Sequence, residues 1–320
     1  MSCQPGGEIM EDDGARAVQD QWMSTQGLAR YLHIHEKQVY ALLKSGRLPG
    51  TKATGKWLFS RRLIDAWLED RARRNLADVR QRSRRSEGAL LAAGSDDPLL
   101  TMLIAAAGRS VPGGAIFSAV TGSAEGLRTL GEGYTDVAWS HLLDAEAGSY
   151  NTPAVIGRYL GDRETTTVHL FNREVGFVTA AGNPKGIAAF SDLVRPEVSF
   201  VNRQEGSGIR FLTEARLRAE GIDPGRIQGF ERSVCTHVEV GLAVRAGRAD
   251  AGVAVGAVAR LLGLAFVPLT EESFDMILDR ETFFSRTVQS LLDILQGEAF
   301  QESVRGLGGY DFARTGRLLT

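Results

Sequence analysis

The chain has 320 residues, 43% of them hydrophobic, which is enough apolar content for two or three domains with cores of their own. Its formal net charge is only −2, and no window approaches the roughly 18 consecutive apolar residues that a membrane-spanning helix needs. The acidic, glycine-rich start lacks the apolar core of a signal peptide, and two cysteines, Cys3 and Cys235, do not indicate a disulfide framework. We therefore expect a soluble, cytoplasmic protein.

Charge is distributed unevenly along the chain. Residues 24–85 carry 15 Lys and Arg against 5 Asp and Glu, whereas residues 86–320 carry 21 against 29. A basic module beside an acidic one predicts a polyanionic partner for the first and a different ligand for the second. Residues 1–20 are rich in acidic residues and glycine, and they are predicted to form a disordered tail.

The basic module, residues 21–75, is predicted to contain three helices and a small β-wing. Ser24 caps the first helix, residues 36–45 form the second, and residues 47–59 form the wing with a turn near Thr54–Gly55. A third helix follows from Ser60, and its apolar side chains at helical spacing are Leu63, Ile64, Trp67 and Leu68. Two short helices followed by a wing form a geometry that docks on DNA.

This order of elements resembles the excisionase-type winged helix-turn-helix, a relative of the MerR group. The resemblance is carried by STQGLARYL from Ser24, VYALLKSGRLPG from Val39 and GKWLFSRRLIDAWL from Gly55. It implies that residues 36–45 enter the major groove of double-stranded DNA and that the wing contacts the DNA backbone or the minor groove. The residues that it places on DNA are His35, Lys37, Gln38, Tyr40, Lys44, Lys52, Lys56 and Trp57. The alternative is a basic helical domain that binds protein.

Residues 76–87 connect the basic module to the acidic one. Arg80, Arg82, Arg84 and Arg85 lie among polar residues in this segment. We predict a basic linker or a solvated helix extension that adds contacts to DNA phosphates.

The acidic module, residues 88–320, alternates strand-like and helix-like segments, which predicts an α/β fold with a mainly parallel sheet covered by helices. The predicted strands are 89–93, 115–120, 134–139, 199–201, one near Ile227, and 251–255; helices are expected from Asp97, 124–130, from Arg210, and 238–246. Two β-prone runs, 168–181 (interrupted at 172–174) and 266–278, are predicted to cross between two lobes. The first lobe then comprises about 88–172 and 278–320, and the second about 173–277, with a helix from Thr287 rejoining the first lobe.

The stretch from Val201 to Arg210, VNRQEGSGIR, is a candidate anion site. A strand that runs through a small-residue turn into a helix presents unpaired backbone N–H groups and the positive end of the helix dipole. Arg203 adds a planar charge, and Ser207 adds a hydroxyl donor. We expect Arg203 to be the one cation near the anion, lining the cleft without supporting the core. An ordinary strand-to-helix turn is the alternative interpretation.

The acidic module resembles the type II periplasmic-binding-protein fold in its cytoplasmic form, over residues 89–318. The motifs are TGSAEGL from Thr121, TDVAWSHLLD from Thr135 and the VNRQEGSG stretch, completed by GRADAGV from Gly247 and GGYD from Gly308. They are similar to the binding domain fused to molybdopterin-synthesis proteins and to one-component regulators, which is akin to the molybdate and tungstate binders.

In that group an arginine followed by a Ser-Gly-Thr turn holds the oxyanion. Arg203, Ser207 and Gly208 match this pattern, but Ile209 stands in place of the threonine and removes one donor. The residues that the resemblance places around the ligand are Ser95, Thr121, Gly122, Ser123, His141, Arg203, Ser207 and Gly208.

No P-loop, nucleophile elbow or metal-ligand spacing is present, so we predict neither catalysis, nor a metal, nor a cofactor. We predict a one-component regulator, expected to be a homo-oligomer, with double-stranded DNA as its partner and molybdate or tungstate as its effector. A small organic anion or a molybdopterin-related compound is the alternative effector. A different alternative is an excisionase-like architectural DNA-binding protein with a ligand-free second domain.

Overall fold

The computed structural model describes residues 22–52, 55–161 and 163–319, so the predicted tail, residues 1–20, lies outside the described residues, as does Thr54 of the predicted wing turn. The chain divides into two compact units, Met1–Arg82 and Ser83–Thr320. Each unit has a hydrophobic core of its own.

The N-terminal unit consists of short elements around a small core, followed by one long helix. Its elements are β1 (Trp22–Ser24), α1 (Thr25–Tyr31), α2 (Glu36–Lys44), β2 (Leu58–Ser60) and α3 (Arg61–Ser86). The Ser24 hydroxyl accepts a hydrogen bond from the Gly27 N–H at 3.1 Å and caps α1, as predicted. No sequence pattern indicated β1, which pairs antiparallel with β2. Among the described residues of the predicted wing, Thr51 and Leu58 form an isolated antiparallel bridge.

The predicted core face of α3 is partly wrong. Ile64 is fully buried and Trp67 packs against the core, but Leu63 is 48% exposed and Leu68 is 39% exposed. Ile64 and Trp67 define the direction in which α3 faces the core. At 3.6 residues per turn, Leu63 and Leu68 lie about 70° around the helix axis to either side of that direction. The core of this unit is too narrow to cover both flanks of the helix.

The segment predicted as a linker, residues 76–87, is helical up to Ser86 as the end of α3. Arg84 and Arg85 donate to the buried carboxylate of Asp136 at 2.6 and 2.8 Å, and Arg85 also reaches Asp279 at 3.0 Å. The expectation that these two arginines are solvated and free for DNA phosphates is therefore wrong, because both are held inside the second unit.

The first part of the second unit alternates strands and helices. Its elements are β3 (Ala89–Gly94), α4 (Pro98–Ser110), β4 (Ala115–Val120), α5 (Ser123–Gly131), β5 (Val137–Ser140), β6 (Leu143–Asp144), β7 (Ser149–Tyr150), α6 (Pro153–Leu160) and β8 (Thr166–Thr179). The remaining elements are β9 (Phe200–Arg203), α7 (Gly208–Ala219), β10 (Ser233–Val234), α8 (His237–Arg245), β11 (Ala251–Val255), α9 (Gly256–Leu262), β12 (Ala265–Leu278), α10 (Arg280–Phe283), α11 (Arg286–Gln296), α12 (Glu298–Val304) and β13 (Tyr310–Asp311).

One sheet runs through both lobes, in the order β10-β9-β11-β8-β12-β5-β3-β4, with β13 added to β8. The long strands β8 and β12 pair antiparallel from end to end and are shared by the two lobes, while β3, β4 and β5 are parallel in the first lobe. In the second lobe β9, β10 and β11 are parallel to one another. The predicted two-lobed α/β fold is confirmed. The prediction of a mainly parallel sheet is wrong, because β8 and β12 run antiparallel to each other and to their neighbours β11 and β5.

Three local predictions differ from the structure. The segment at residues 172–174 does not interrupt β8, because Arg173 stays in register with Glu272 of β12. Near Ile227 there is a short 3₁₀ turn, and the strand of that region is Ser233–Val234. The helix expected from Arg210 begins at Gly208, because Ser207 caps it.

Within the described residues, no helix is both long and apolar enough to cross a lipid bilayer.

The difference in burial between two neighbouring residues of α3 gives a stability prediction. We expect Ile64→Ala to lower the free energy of unfolding of the N-terminal unit by about 2–5 kcal/mol, because it leaves a cavity in the core. The control Leu63→Ala removes an isomeric side chain from the exposed flank and is expected to cost less than about 1 kcal/mol. Urea titration of the full chain by far-UV circular dichroism measures both. Equal losses would show that the core is misassigned.

Candidate functional site

Predicted residues of the first lobe meet at the ends of β3, β4 and β5. The Ser95 and Ser123 hydroxyls lie 2.7 Å apart, and Ser123 Oγ also accepts from the His141 backbone N–H at 3.2 Å. All three residues are buried. Thr121 lies beside them, half-buried, with its hydroxyl 3.4 Å from the Gly122 carbonyl. The structure thus brings together the predicted residues of this lobe.

The two glycine turns of the site are in direct contact across the lobes. The Ala124 N–H, at the start of α5, donates to the Gly206 carbonyl at 3.1 Å. Gly122 has φ = +88°, and a Cβ there would lie 3.0 Å from the same carbonyl oxygen. A Cβ on Gly208 would lie 2.4 Å from the His141 ring. Glycine is therefore required at positions 122 and 208 for the lobes to approach this closely.

Ser207 and Ile209 have structural tasks in the second lobe. The Ser207 hydroxyl accepts from the Arg210 N–H at 3.2 Å and caps α7. Ile209 is 1% exposed and belongs to the main hydrophobic core. Because residue 209 points into the core, a threonine hydroxyl here would need a buried partner, and this accounts for the departure from the Ser-Gly-Thr pattern.

Arg203 is an ion-paired residue, which corrects the expectation of a free cation lining the cleft and supporting no packing. Its Nη2 donates to Asp96 Oδ1 of the first lobe at 2.6 Å and to the Cys235 carbonyl at 2.7 Å. The side chain is 2% exposed. Its Nη1 is buried and, among the described residues, has no hydrogen-bond partner. Arg203 therefore joins the lobes and keeps one unused donor nitrogen.

His237, the first residue of α8, belongs to the same site and was missed by sequence reasoning. Its backbone N–H donates to Asp96 Oδ2 at 3.0 Å, and its ring Nδ1 accepts from the Val255 N–H at 3.3 Å. Burial, followed by the charges of Arg203 and Arg173, holds the pKa of His237 well below its usual value. The ring is therefore neutral with its proton on Nε2, a buried atom that has no partner in the described part of the chain.

A buried ionic chain lies beside these residues. Arg173 on β8 donates to Asp97 at 2.7 Å and to Glu272 on β12 at 3.1 Å, and all three side chains are fully buried. The Tyr310 hydroxyl donates to Asp97 at 2.8 Å. Burial raises the pKa of the Asp97 carboxyl, against the opposing effect of Arg173. Arg173 is thus a second buried arginine that the sequence did not indicate.

His141 is next to this chain, with Nδ1 3.1 Å from Glu272 Oε2. Burial lowers the pKa of His141, although Glu272 opposes the shift, and Arg173 adds to it. Burial alone would raise the pKa of the Glu272 carboxyl, but His141 and Arg173 hold it below its usual value. At neutral pH the imidazole is therefore neutral, and a neutral imidazole can donate one hydrogen bond and accept another.

The predicted DNA-contacting residues are almost all on the surface of the N-terminal unit. Those that are exposed are His35, Lys37, Gln38, Tyr40, Lys44, Lys52 and Lys56. Trp57 is only half-buried and packs against the core of the unit, so part of its ring is not free for a partner. Gln38 Oε1 accepts from the His35 N–H at 3.1 Å and so helps to cap α2.

Comparison with known proteins agrees with this geometry. A model described as the PBP superfamily domain matches residues 105–296, and a model described as a helix-turn-helix domain matches residues 22–72. The chain is 30% identical over 198 residues to the uncharacterized protein YvgK of Bacillus subtilis, covering 62% of this chain. The match spans 63% of that relative's own length, less than two thirds of it.

Two solved structures share the fold. A putative phosphate ABC transporter substrate-binding protein from Clostridium perfringens, with bound phosphate, is 14% identical with a TM-score of 0.53, covering 70% of this chain and 99% of that one. A cysteine-to-serine mutant of OxyR from Corynebacterium glutamicum, bound to H2O2, is 15% identical with a TM-score of 0.50, covering 89% of this chain and 90% of that one. At these identities the likeness concerns the fold alone. The PBP superfamily model matches more than half of the chain's length, so the chain belongs to the PBP superfamily. It also carries a helix-turn-helix domain ahead of that region.

Proposed function

We propose that the chain is a one-component transcription regulator that binds double-stranded DNA through its helix-turn-helix domain and senses a small anion between its two lobes. The observation that carries the anion site is the buried donor nitrogen of Arg203, for which the described residues supply no partner. A buried donor without a partner costs free energy that a ligand oxygen recovers. The regulator acts in the cytoplasm as a homo-oligomer and has no catalytic role in this proposal.

Molybdate and tungstate are the first effectors to test. The resemblance to their binders supports them, and a tetrahedral oxyanion suits a site with neutral donors. The predicted neutral residues of the site come from both lobes: Ser95, Thr121, Gly122, Ser123, His141, Ser207 and Gly208. A small organic anion is the second candidate, and a specific observation favours it. Arg203 is already paired with Asp96, so the site offers a doubly charged ion no free positive charge.

The effector acts on DNA binding through closure of the lobes. In the structure the lobes are joined by the Ala124–Gly206 hydrogen bond and by the Arg203–Asp96 ion pair. A ligand shifts an equilibrium between open and closed lobes only by the difference in its affinity for the two states. An anion that holds donors of both lobes binds the closed state more tightly, and this difference is available to change DNA affinity.

A thermal-shift screen of the full chain tests the sensor function. The probes are molybdate, tungstate, sulfate, phosphate, acetate, lactate and a molybdopterin precursor. An effector at 100 times its Kd stabilises the native state by about 2.7 kcal/mol, and we expect the Tm to rise by about 5 °C or more. If none of these compounds raises the Tm, the sensor function is wrong and the architectural alternative, with a ligand-free second domain, is favoured.

Arg203→Lys should separate anion binding from folding. Lysine keeps the charge beside Asp96 but loses the planar set of donors, so we expect at least about tenfold weaker binding of the screened anion. The matched control is Arg210→Lys, since Arg210 is a mostly buried arginine of the same lobe that pairs with Glu214 instead. Isothermal titration calorimetry measures both variants. Equal anion affinity in Arg203→Lys and the wild type would remove Arg203 from the site.

Two lysines of the N-terminal unit should affect DNA binding differently. We expect Lys37→Ala, on the exposed face of α2, to change the sequences selected from a random duplex library. Lys52→Ala should weaken binding to all duplexes alike, because a wing lysine contacts phosphate. It should also reduce the slope of log affinity against log salt concentration by about one. The control Arg218→Ala removes one positive charge from α7 and should change neither. Fluorescence anisotropy at several salt concentrations measures the affinities. An equal loss in all three variants would contradict the assignment.

A further inference from the structure

Asp96 already provides an anion at the proposed site. Its Oδ1 lies 2.6 Å from Arg203 Nη2, and its Oδ2 lies 3.0 Å from the first N–H of α8, at His237. A guanidinium and the N-terminus of a nine-residue helix are the groups that bind an external carboxylate or oxyanion. Here the two oxygens come from the chain itself, at the end of β3 in the opposite lobe. The second lobe therefore holds an internal anion.

The charges around this carboxylate do not favour adding another anion. Among the described residues, the acidic and basic side chains joined by these ion pairs are the carboxylates of Asp96, Asp97 and Glu272 and the guanidiniums of Arg173 and Arg203. Three negative groups against two positive groups leave one net negative charge. The neutral rings of His141 and His237 do not change it. A buried site with this balance resists a second negative charge unless one of its own leaves.

Asp96 is the carboxylate that can leave. Its side chain is 12% exposed, whereas the side chains of Asp97 and Glu272 are fully buried. Asp97 also caps α4, through the Leu99 N–H at 2.7 Å, and accepts from Arg173 and Tyr310. The Asp96 carboxylate makes its two hydrogen bonds across the lobes and has a path to solvent. An incoming anion can therefore replace it without uncapping α4.

We propose that Asp96 is an internal competitor for the site: the effector replaces its carboxylate on Arg203 and α8, and the site therefore selects singly charged anions over doubly charged ones. The inference rests on the proposed anion-sensing function. A monoanion that takes the place of Asp96 leaves the buried charge unchanged. A dianion adds one further negative charge to a site that already holds Asp97 and Glu272, and we expect this to weaken its binding by about tenfold or more.

The test compares two tetrahedral anions of similar shape, tungstate with two charges and perrhenate with one. Isothermal titration calorimetry at about pH 7.5 is carried out on the full-length wild type, Asp96→Asn and the control Asp293→Asn. Asparagine keeps an acceptor for Arg203 and His237 but removes the charge, while Asp293 is an exposed carboxylate on α11. We expect the wild type to bind perrhenate at least about tenfold more tightly than tungstate. Asp96→Asn should raise the affinity for both anions at least about tenfold, because no carboxylate then has to leave Arg203 and α8, and Asp293→Asn should leave both affinities unchanged.

Each outcome bears on Asp96 or on anion sensing as a whole. The wild-type comparison stands even if Asp96→Asn does not fold. Wild-type protein that prefers tungstate, or anion affinities that are no higher in Asp96→Asn, overturns the role of Asp96 while anion sensing survives. Affinities that rise equally in Asp293→Asn also overturn it, since the effect is then one of net charge. If neither the wild type nor Asp96→Asn binds either anion, the inference and the proposed function are both wrong.

Discussion

Two adjacent carboxylates at the start of α4 connect the parts of the second unit. Asp97 binds Arg173 on a strand shared by both lobes, and Asp96 binds Arg203 in the second lobe. Burying a charge is costly unless it is paired and hydrogen-bonded, so each carboxylate fixes the position of the arginine that neutralises it. One peptide segment thereby holds the shared sheet to the first lobe and draws the second lobe towards it. The glycine turns then meet because these ion pairs and the missing side chains at Gly122 and Gly208 allow it.

Much of the fold could be predicted from the sequence, because local patterns specify it. The turn signals after β3 and β4 and the two long β-prone runs led to a two-lobed α/β domain, which the structure confirms. Small elements with few residues, such as β1 and β13, carry no periodicity and were missed. The exposed flanks of α3 show a related limit of prediction from sequence. Helical spacing identifies the apolar stripe, but the width of the core that covers it depends on elements distant in sequence.

The candidate site was predictable in its turns and not in its charges. Glycine and serine at the ends of strands indicated where Gly122, Ser123 and Gly208 lie, since a close approach of backbones has a local signature. The partner of Arg203 is 107 residues away, and that of Arg173 on β12 is 99 residues away. No spacing rule links such residues, so an arginine that was predicted to be free is paired. His237 follows a capping residue and resembles any other residue of a helix start, although its ring is buried beside the same cluster.

The pairing of Arg203 changes how a ligand response can arise in this domain. A free cation in an open cleft would attract an anion and close on it, and charge would then accumulate in the site. With Asp96 already in contact with Arg203 and α8, closure without ligand and closure with ligand use the same donors. The two states then differ in which anion occupies those donors and in whether Asp96 still joins the lobes. In the proposed regulator only this difference in free energy is available to the DNA-binding domain, so the strength of the Asp96–Arg203 contact would limit the extent of regulation.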